Sequence, residues 1–125
     1  MANVQERLPQ NVPGDFFVDS TCIDCETCRE LAPGSFRDHG EQCSVYHQPE
    51  TESETRLALM ALVARPTGSI GTTQRHDPHI GIGAFPMPVA DNVFFCGFTA
   101  AASFGGWSYL IARAEENGGN ILIDS

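Results

Sequence analysis

Cys22, Cys25 and Cys28 stand two residues apart in the segment TCIDCETCRELAPGSF. Thiolates are soft donors, and three of them at this spacing can converge on one metal centre from a single tight loop that enters a helical turn. CxxCxxC is the opening of a bacterial-type iron–sulfur site. Zinc more often takes two separated CxxC pairs or mixed Cys and His, so a zinc site here would need the triplet plus His39 or His47. Left without a metal, the three would be ordinary thiols. The chain has five cysteines. Cys43 either supplies a further thiolate or is a half-buried hairpin thiol, and Cys96, in an apolar run beside Gly97, reads as a small buried hydrophobe. An odd number and close spacing in a chain whose start carries no secretory signal argue against a disulfide framework.

Elements that would position the triplet can be read on either side of it. Asp15 to Asp19 is a β-prone run after a polar stretch, residues 1–14, that reads as a loose arm. Glu26 to Leu31 forms one or two helical turns stopped by Pro33 and Gly34. Ser35 to Gln48 has β-prone ends about the turn-like Asp38-His39-Gly40, a hairpin. In PETESETRLALMALVARP, Thr51 as N-cap with Glu54 three residues on makes a capping box. The nearly unbroken apolar run from Leu57 to Ala64 then predicts a mostly buried helix, which Pro66 ends. Thr67 to Gly71 reads as a short closing strand. Residues 72–92, rich in Gly, Pro and His, read as a linker. Three β-like runs follow at Val93–Phe98, Ser108–Arg113 and Asn120–Asp124, the last two joined by a turn at residues 114–119.

Of 125 residues, 16 are acidic and 7 basic, all arginine and scattered, for a net charge of −9. Without a basic patch, a nucleic-acid partner is not expected. No window approaches the ~18 apolar residues of a membrane span, so no membrane partner is expected and a cytoplasmic location is the default.

Several other groups have bland readings. His76 and His79 around Asp77 superficially resemble metal ligands, but Pro78 and the loop setting favour exposed side chains. Phe94, Phe95, Phe98, Phe104 and Trp107 read as the core of the terminal strands. Gly105-Gly106 and Gly118-Gly119 lack the residues of a phosphate loop. No nucleophile, base and orienting acid suggest a hydrolytic triad.

GDFFVDSTCIDCETCRELAPGSF, SVYHQPETE and ARPTGSIG together resemble the single-cluster ferredoxin domain at the N-terminus of a group of cyanobacterial and plant metallo-β-lactamase-fold proteins. FFCGFTAAASFGGWSYLIAR and GGNILIDS resemble the first strands of the metallo-β-lactamase domain of those proteins. The resemblance implies an α+β fold, ferredoxin-like, with two short β-hairpins and two helices, followed by a C-terminal β extension. Residues 1–71 would be the iron–sulfur domain, 72–92 the linker, and 93–125 the incomplete N-terminal strands of a second domain. It implies electron transfer with a [4Fe–4S] or [3Fe–4S] cluster on Cys22, Cys25 and Cys28, with zinc and a non-redox structural or interaction module as the alternative. In the family a Cys-Pro at the end of the long helix gives the fourth ligand. Here the pair is Arg65-Pro66, and a guanidinium has only donors to offer. Cys43 is the candidate fourth ligand in its place. The chain also ends before the family's histidine-rich metal motif, so no enzymatic activity is expected of it, although a longer parent would be a metallo-hydrolase. Asp24, Glu26 and Glu30 beside the site would steer a basic redox partner, and the terminal strands offer edges for self-association.

Overall fold

The computed structural model describes residues 2–64, 67–97 and 108–124. Among these are three α-helices, α1 (Thr27–Leu31), α2 (Glu52–Ala64) and α3 (Pro78–Ile82). Eight strands accompany them: β1 (Phe16–Val18), β2 (Phe36–His39), β3 (Gln42–Val45), β4 (Ile70–Thr72), β5 (Met87–Ala90), β6 (Val93–Phe95), β7 (Ser108–Ile111) and β8 (Ile121–Asp124). The architecture is α+β, as expected. Arg65 and Pro66, Phe98, Phe104, Gly105-Gly106 and Trp107 lie outside the described residues.

The first half is built from two antiparallel pairs and two helices. β1 pairs with β4, Phe17 opposite Gly71, and β2 pairs with β3, Asp38 opposite Cys43. Gly40 turns the β2–β3 hairpin at φ +76°, a left-handed conformation that glycine adopts without a Cβ clash. α2 starts as its capping box predicts. The Glu54 N–H donates to Thr51 Oγ1 at 3.1 Å, and Glu54 Oε2 reaches back to the N–H of Glu50 at 2.8 Å. Ala58, Leu59, Met60, Ala61 and Ala64 are buried in one core with Phe16, Val18, Leu31, Phe36, Val45 and Ile70.

The N-terminal residues are tied down rather than loose. Leu8 N–H donates to Val18 O at 3.0 Å, and Arg7 donates to the carbonyls of Val12 and Gly14 at 2.8 and 3.0 Å. Asn11 is the keystone. Its Nδ2 donates to Leu8 O and Val18 O, both at 2.8 Å, and its Oδ1 accepts from the N–H groups of Val18 and Val45 at 3.2 and 2.9 Å. Gln48 repeats the device: Oε1 accepts from Phe16 N–H at 2.9 Å and Nε2 donates to Phe16 O at 2.8 Å. Asn11 thus joins the edges of β1 and β3, which share no ladder, and Gln48 ties the chain after β3 to β1.

Residues 72–92 carry more structure than a linker would. Asp77 caps α3 by accepting from the His79 N–H at 3.0 Å. α3 packs closely on α2, where a Cβ on Gly81 would lie 2.6 Å from Leu59 O. β5 then opens a four-stranded antiparallel sheet of order β5-β6-β7-β8. Phe95 of β6 is buried in the main core, edge-on to Phe85 at 5.7 Å between centroids and 5.7 Å from the Tyr109 ring. The sheet's last strand is its least covered, with Ile121, Leu122 and Ile123 exposed.

Candidate metal centre

The segment between β1 and the β2–β3 hairpin sets the geometry of the cysteines. Asp24 and Glu26, on either side of Cys25, take left-handed φ values of 56° and 67°. Each such non-glycine residue costs on the order of 1–2 kcal/mol and must be held by its surroundings. Arg29 does the holding. Its guanidinium lies 3.0 Å from Asp24 Oδ1, 3.3 Å from Glu26 Oε1 and 3.2 Å from Asp38 Oδ1. One mostly buried cation therefore clamps the cysteine loop to itself and to the hairpin. Burial pushes the Arg29 pKa down, but Asp24, Asp38 and Glu26 outweigh it and hold the value above the usual one.

Cys22, Cys28 and Cys43 are all buried, the last two only 1% exposed. Cys28 and Cys43 touch, Sγ to Sγ, at 2.9 Å. Cys22 Sγ accepts from the backbone N–H of Cys43 and from that of Asp24, both at 3.5 Å. Cys43 therefore meets one triplet member through its sulfur and another through its amide. It is fully buried against them, not half-buried on the hairpin. Cys25 is partly exposed and turned toward Thr27 Oγ1 at 3.4 Å.

The donor set is of the kind an iron–sulfur cluster takes: sulfur only, with backbone N–H groups aimed at sulfur and the nearby carboxylates engaged by Arg29. Among the described residues, no three Cys, His, Asp or Glu side chains stand together as a ready-made set of metal ligands. His39 and His47 are both exposed on the hairpin and its exit, and neither joins the cysteines.

The remaining sequence candidates lie elsewhere. His76, expected to be exposed, is partly buried: its Nε2 is 2.5 Å from Asp15 Oδ2, and its ring lies tilted against Phe16 at 5.4 Å between centroids. It secures the chain after β4 to the start of β1. His79 is exposed beside Asp77. Cys96 is partly exposed rather than buried. Arg29, Asn11 and Gln48 were not singled out by sequence. Arg29 had a legible signal, since Asp24 and Glu26 precede it by five and three residues. Asn11 reaches Val45, and Gln48 reaches Phe16, each across more than thirty residues of sequence.

Residues 18–72 match the family model described as the 4Fe-4S single cluster domain of Ferredoxin I. Comparison with curated proteins and with solved structures found no match. Among the described residues no helix is long and apolar enough to cross a membrane. The stretch from the end of β1 through β4, which contains the buried cysteines and their clamp, is thus similar to a single-cluster ferredoxin domain.

Proposed function

We propose that residues 18–72 carry an iron–sulfur cluster and pass single electrons to a partner protein. The observation that carries the reading is the meeting of sulfurs in the core: Cys43 in contact with Cys28 and donating its N–H to Cys22. Cys22, Cys25 and Cys28 are the ligands in this reading. Cys43 is the fourth, replacing the cysteine whose place in the family's pattern is taken by Arg65. When bound, the cluster supplies a one-electron couple.

The rest is the work of the chain. Hydrogen bonds to the Cys22 sulfur from Asp24 and Cys43 withdraw charge from it and favour the reduced, more negative form. Leu31, Ala32 and Phe36, buried in the same cluster of side chains, keep water from the sulfurs. Cys25, partly exposed between the exposed Ile23 and Glu26, is the side on which an electron would leave. The partner reading is a basic redox protein. Glu30 and Glu41 are exposed, and the excess negative charge of the whole chain supports steering. The resemblance of residues 93–125 to the opening strands of a metallo-β-lactamase domain supports reading β6–β8 as part of such a unit, and the exposed apolar β8 supports self-association along its edge.

Anaerobic reconstitution of the 125-residue chain with ferrous iron and sulfide tests the reading. A brown protein with near-stoichiometric cluster, a visible band bleached by dithionite and loss of that band in Cys25→Ala are expected. Electron paramagnetic resonance on Cys43→Ala then tells a three-iron from a four-iron centre. A colourless product without bound iron would refute the proposal.

A further inference from the structure

We infer that Cys28 and Cys43 form an oxidant-induced disulfide, a modification that removes two of the four proposed cluster ligands at once. The inference rests on the cluster reading only for that consequence; the bond itself rests on geometry. The two sulfurs are 2.9 Å apart, and a disulfide needs ~2.05 Å, so roughly 0.9 Å must close. They come from different elements, the first turn of α1 and the second residue of β3. The Arg29 clamp from Asp24 and Glu26 to Asp38, the residue opposite Cys43, keeps those elements together. Cys25 faces Thr27, whereas the Cys22 sulfur accepts from two backbone N–H groups, one of them that of Cys43, which makes Cys22 the competing partner that the peptide map must distinguish.

Burial selects the oxidant. With both residues 1% exposed, burial disfavours attack by a bulky tripeptide thiol far more than by hydrogen peroxide, which is scarcely larger than water. One thiol takes an oxygen from peroxide, giving a sulfenic acid and releasing water. The second sulfur then attacks the sulfenic sulfur, the S–S bond forms, the S–O bond breaks, and a second water leaves. Two thiols are oxidised by two electrons, which reduce the O–O bond. A small dithiol reverses the step by thiol–disulfide exchange.

The test uses the full 125-residue chain, reduced, freed of iron and treated anaerobically with measured hydrogen peroxide before alkylation and peptide mapping. The expected result is a loss of two hydrogens per chain and a cross-linked peptide containing Cys28 and Cys43 as the main product. That product should be absent from both Cys43→Ser and Cys28→Ser. A main cross-link within the triplet, or sulfinic acid at Cys28 with no cross-link, would overturn the inference; because this readout is on the wild-type chain, it stands even if a variant fails to fold. Iron uptake from ferrous ion and sulfide without added thiol gives the consequence. Uptake by the peroxide-treated chain should be at least tenfold below that of the reduced chain and return after dithiothreitol. Equal uptake by both forms would refute the block. No uptake by the reduced chain would instead count against the cluster reading, with the peptide map still deciding the disulfide.

Discussion

Replacing Asn11 by alanine should loosen the cysteine half of the protein more than any surface change of similar size. The side chain is 9% exposed and makes four hydrogen bonds. Not all four losses count equally. Leu8 O keeps the Asn11 N–H at 3.2 Å, and Val18 O keeps the Leu8 N–H at 3.0 Å, so both carbonyls stay paired. The N–H groups of Val18 and Val45 lose the oxygen that accepts from them, and both residues are 0% exposed. A buried donor left unsatisfied costs about 1–3 kcal/mol. Two such donors, partly relieved by water entering the vacated space, give about 2–4 kcal/mol. Against a total stability of roughly 5–15 kcal/mol, that is a large fraction, equivalent to a fall in Tm on the order of 10 °C. Urea unfolding followed by far-ultraviolet circular dichroism measures the loss, and amide exchange locates it. Val18 and Val45 should exchange faster than Phe36, which lies across the hairpin from Val45. A destabilisation below about 0.5 kcal/mol, or uniform acceleration of exchange, would refute the assignment of Asn11 as the joint between β1 and β3.

Other consequences follow from the same structure. Burial raises the Asp15 pKa, but hydrogen bonds from His76, the Gln74 N–H and the Thr73 hydroxyl, with the charge of His76, outweigh it and hold the carboxyl below its usual range. Its contribution to stability is therefore full above the unfolded-state value of about 3.9 and lost as pH falls through the lower folded value. Asp15→Asn should flatten the acid limb of a stability–pH curve between about pH 5 and 2, and an unchanged limb would exclude this pair as its cause. Gly81→Ala would place a methyl 2.6 Å from Leu59 O and force α3 off α2 at about 1–3 kcal/mol, read as a lower urea midpoint. Arg29→Ala should leave Asp24 and Glu26 without the cation that holds their left-handed turns; faster alkylation of Cys25 is expected, with Arg29→Lys intermediate because it cannot span three carboxylates with a fork. Thr51→Ala should cost about 1 kcal/mol of helix stability through loss of the cap.

What could be read from sequence was what depends on near neighbours. The capping box at Thr51 and Glu54, the stop at Pro33 and the hairpin about Gly40 each involve residues within a few positions, and each stands where expected. The cysteine triplet stands out by its spacing in the same way, but which sulfurs meet is set by the fold: Cys28 meets Cys43 while Cys25 faces Thr27. Cys43 was legible as a candidate but not as a buried one. Its alternation in QCSV is uninformative, since Cys43, Ser44 and Val45 are all buried, on both faces of a strand. Asn11 and Gln48 were opaque for a different reason: polar residues in a polar stretch look like solvent-facing loop unless their long-range acceptors and donors are known. α3 and β5 hid in a run of Gly, Pro and His whose helix is five residues long and rests on contact with α2 rather than on its own propensity.

The electrostatics of the loop lead to a narrower view of recognition than its composition suggests. Asp24, Glu26 and Glu30 look like an acidic docking patch, yet Asp24 and Glu26 converge with Asp38 on the single guanidinium of Arg29. Three negative charges and one positive leave a net charge of about −2 there, but the carboxylates that carry it are held by Arg29. A partner that pulled Glu26 into an ion pair of its own would compete with Arg29 and relax the turn beside Cys25. In the proposed encounter with a basic partner, charge recognition would fall to exposed carboxylates outside the clamp, such as Glu30 on α1 and Glu41 on the hairpin turn. They flank the loop without holding it, and Ile23, 47% exposed between Cys22 and Asp24, offers the apolar contact that a purely electrostatic encounter lacks. The same clamp that shapes the sulfur site therefore limits which of its neighbours can meet a partner.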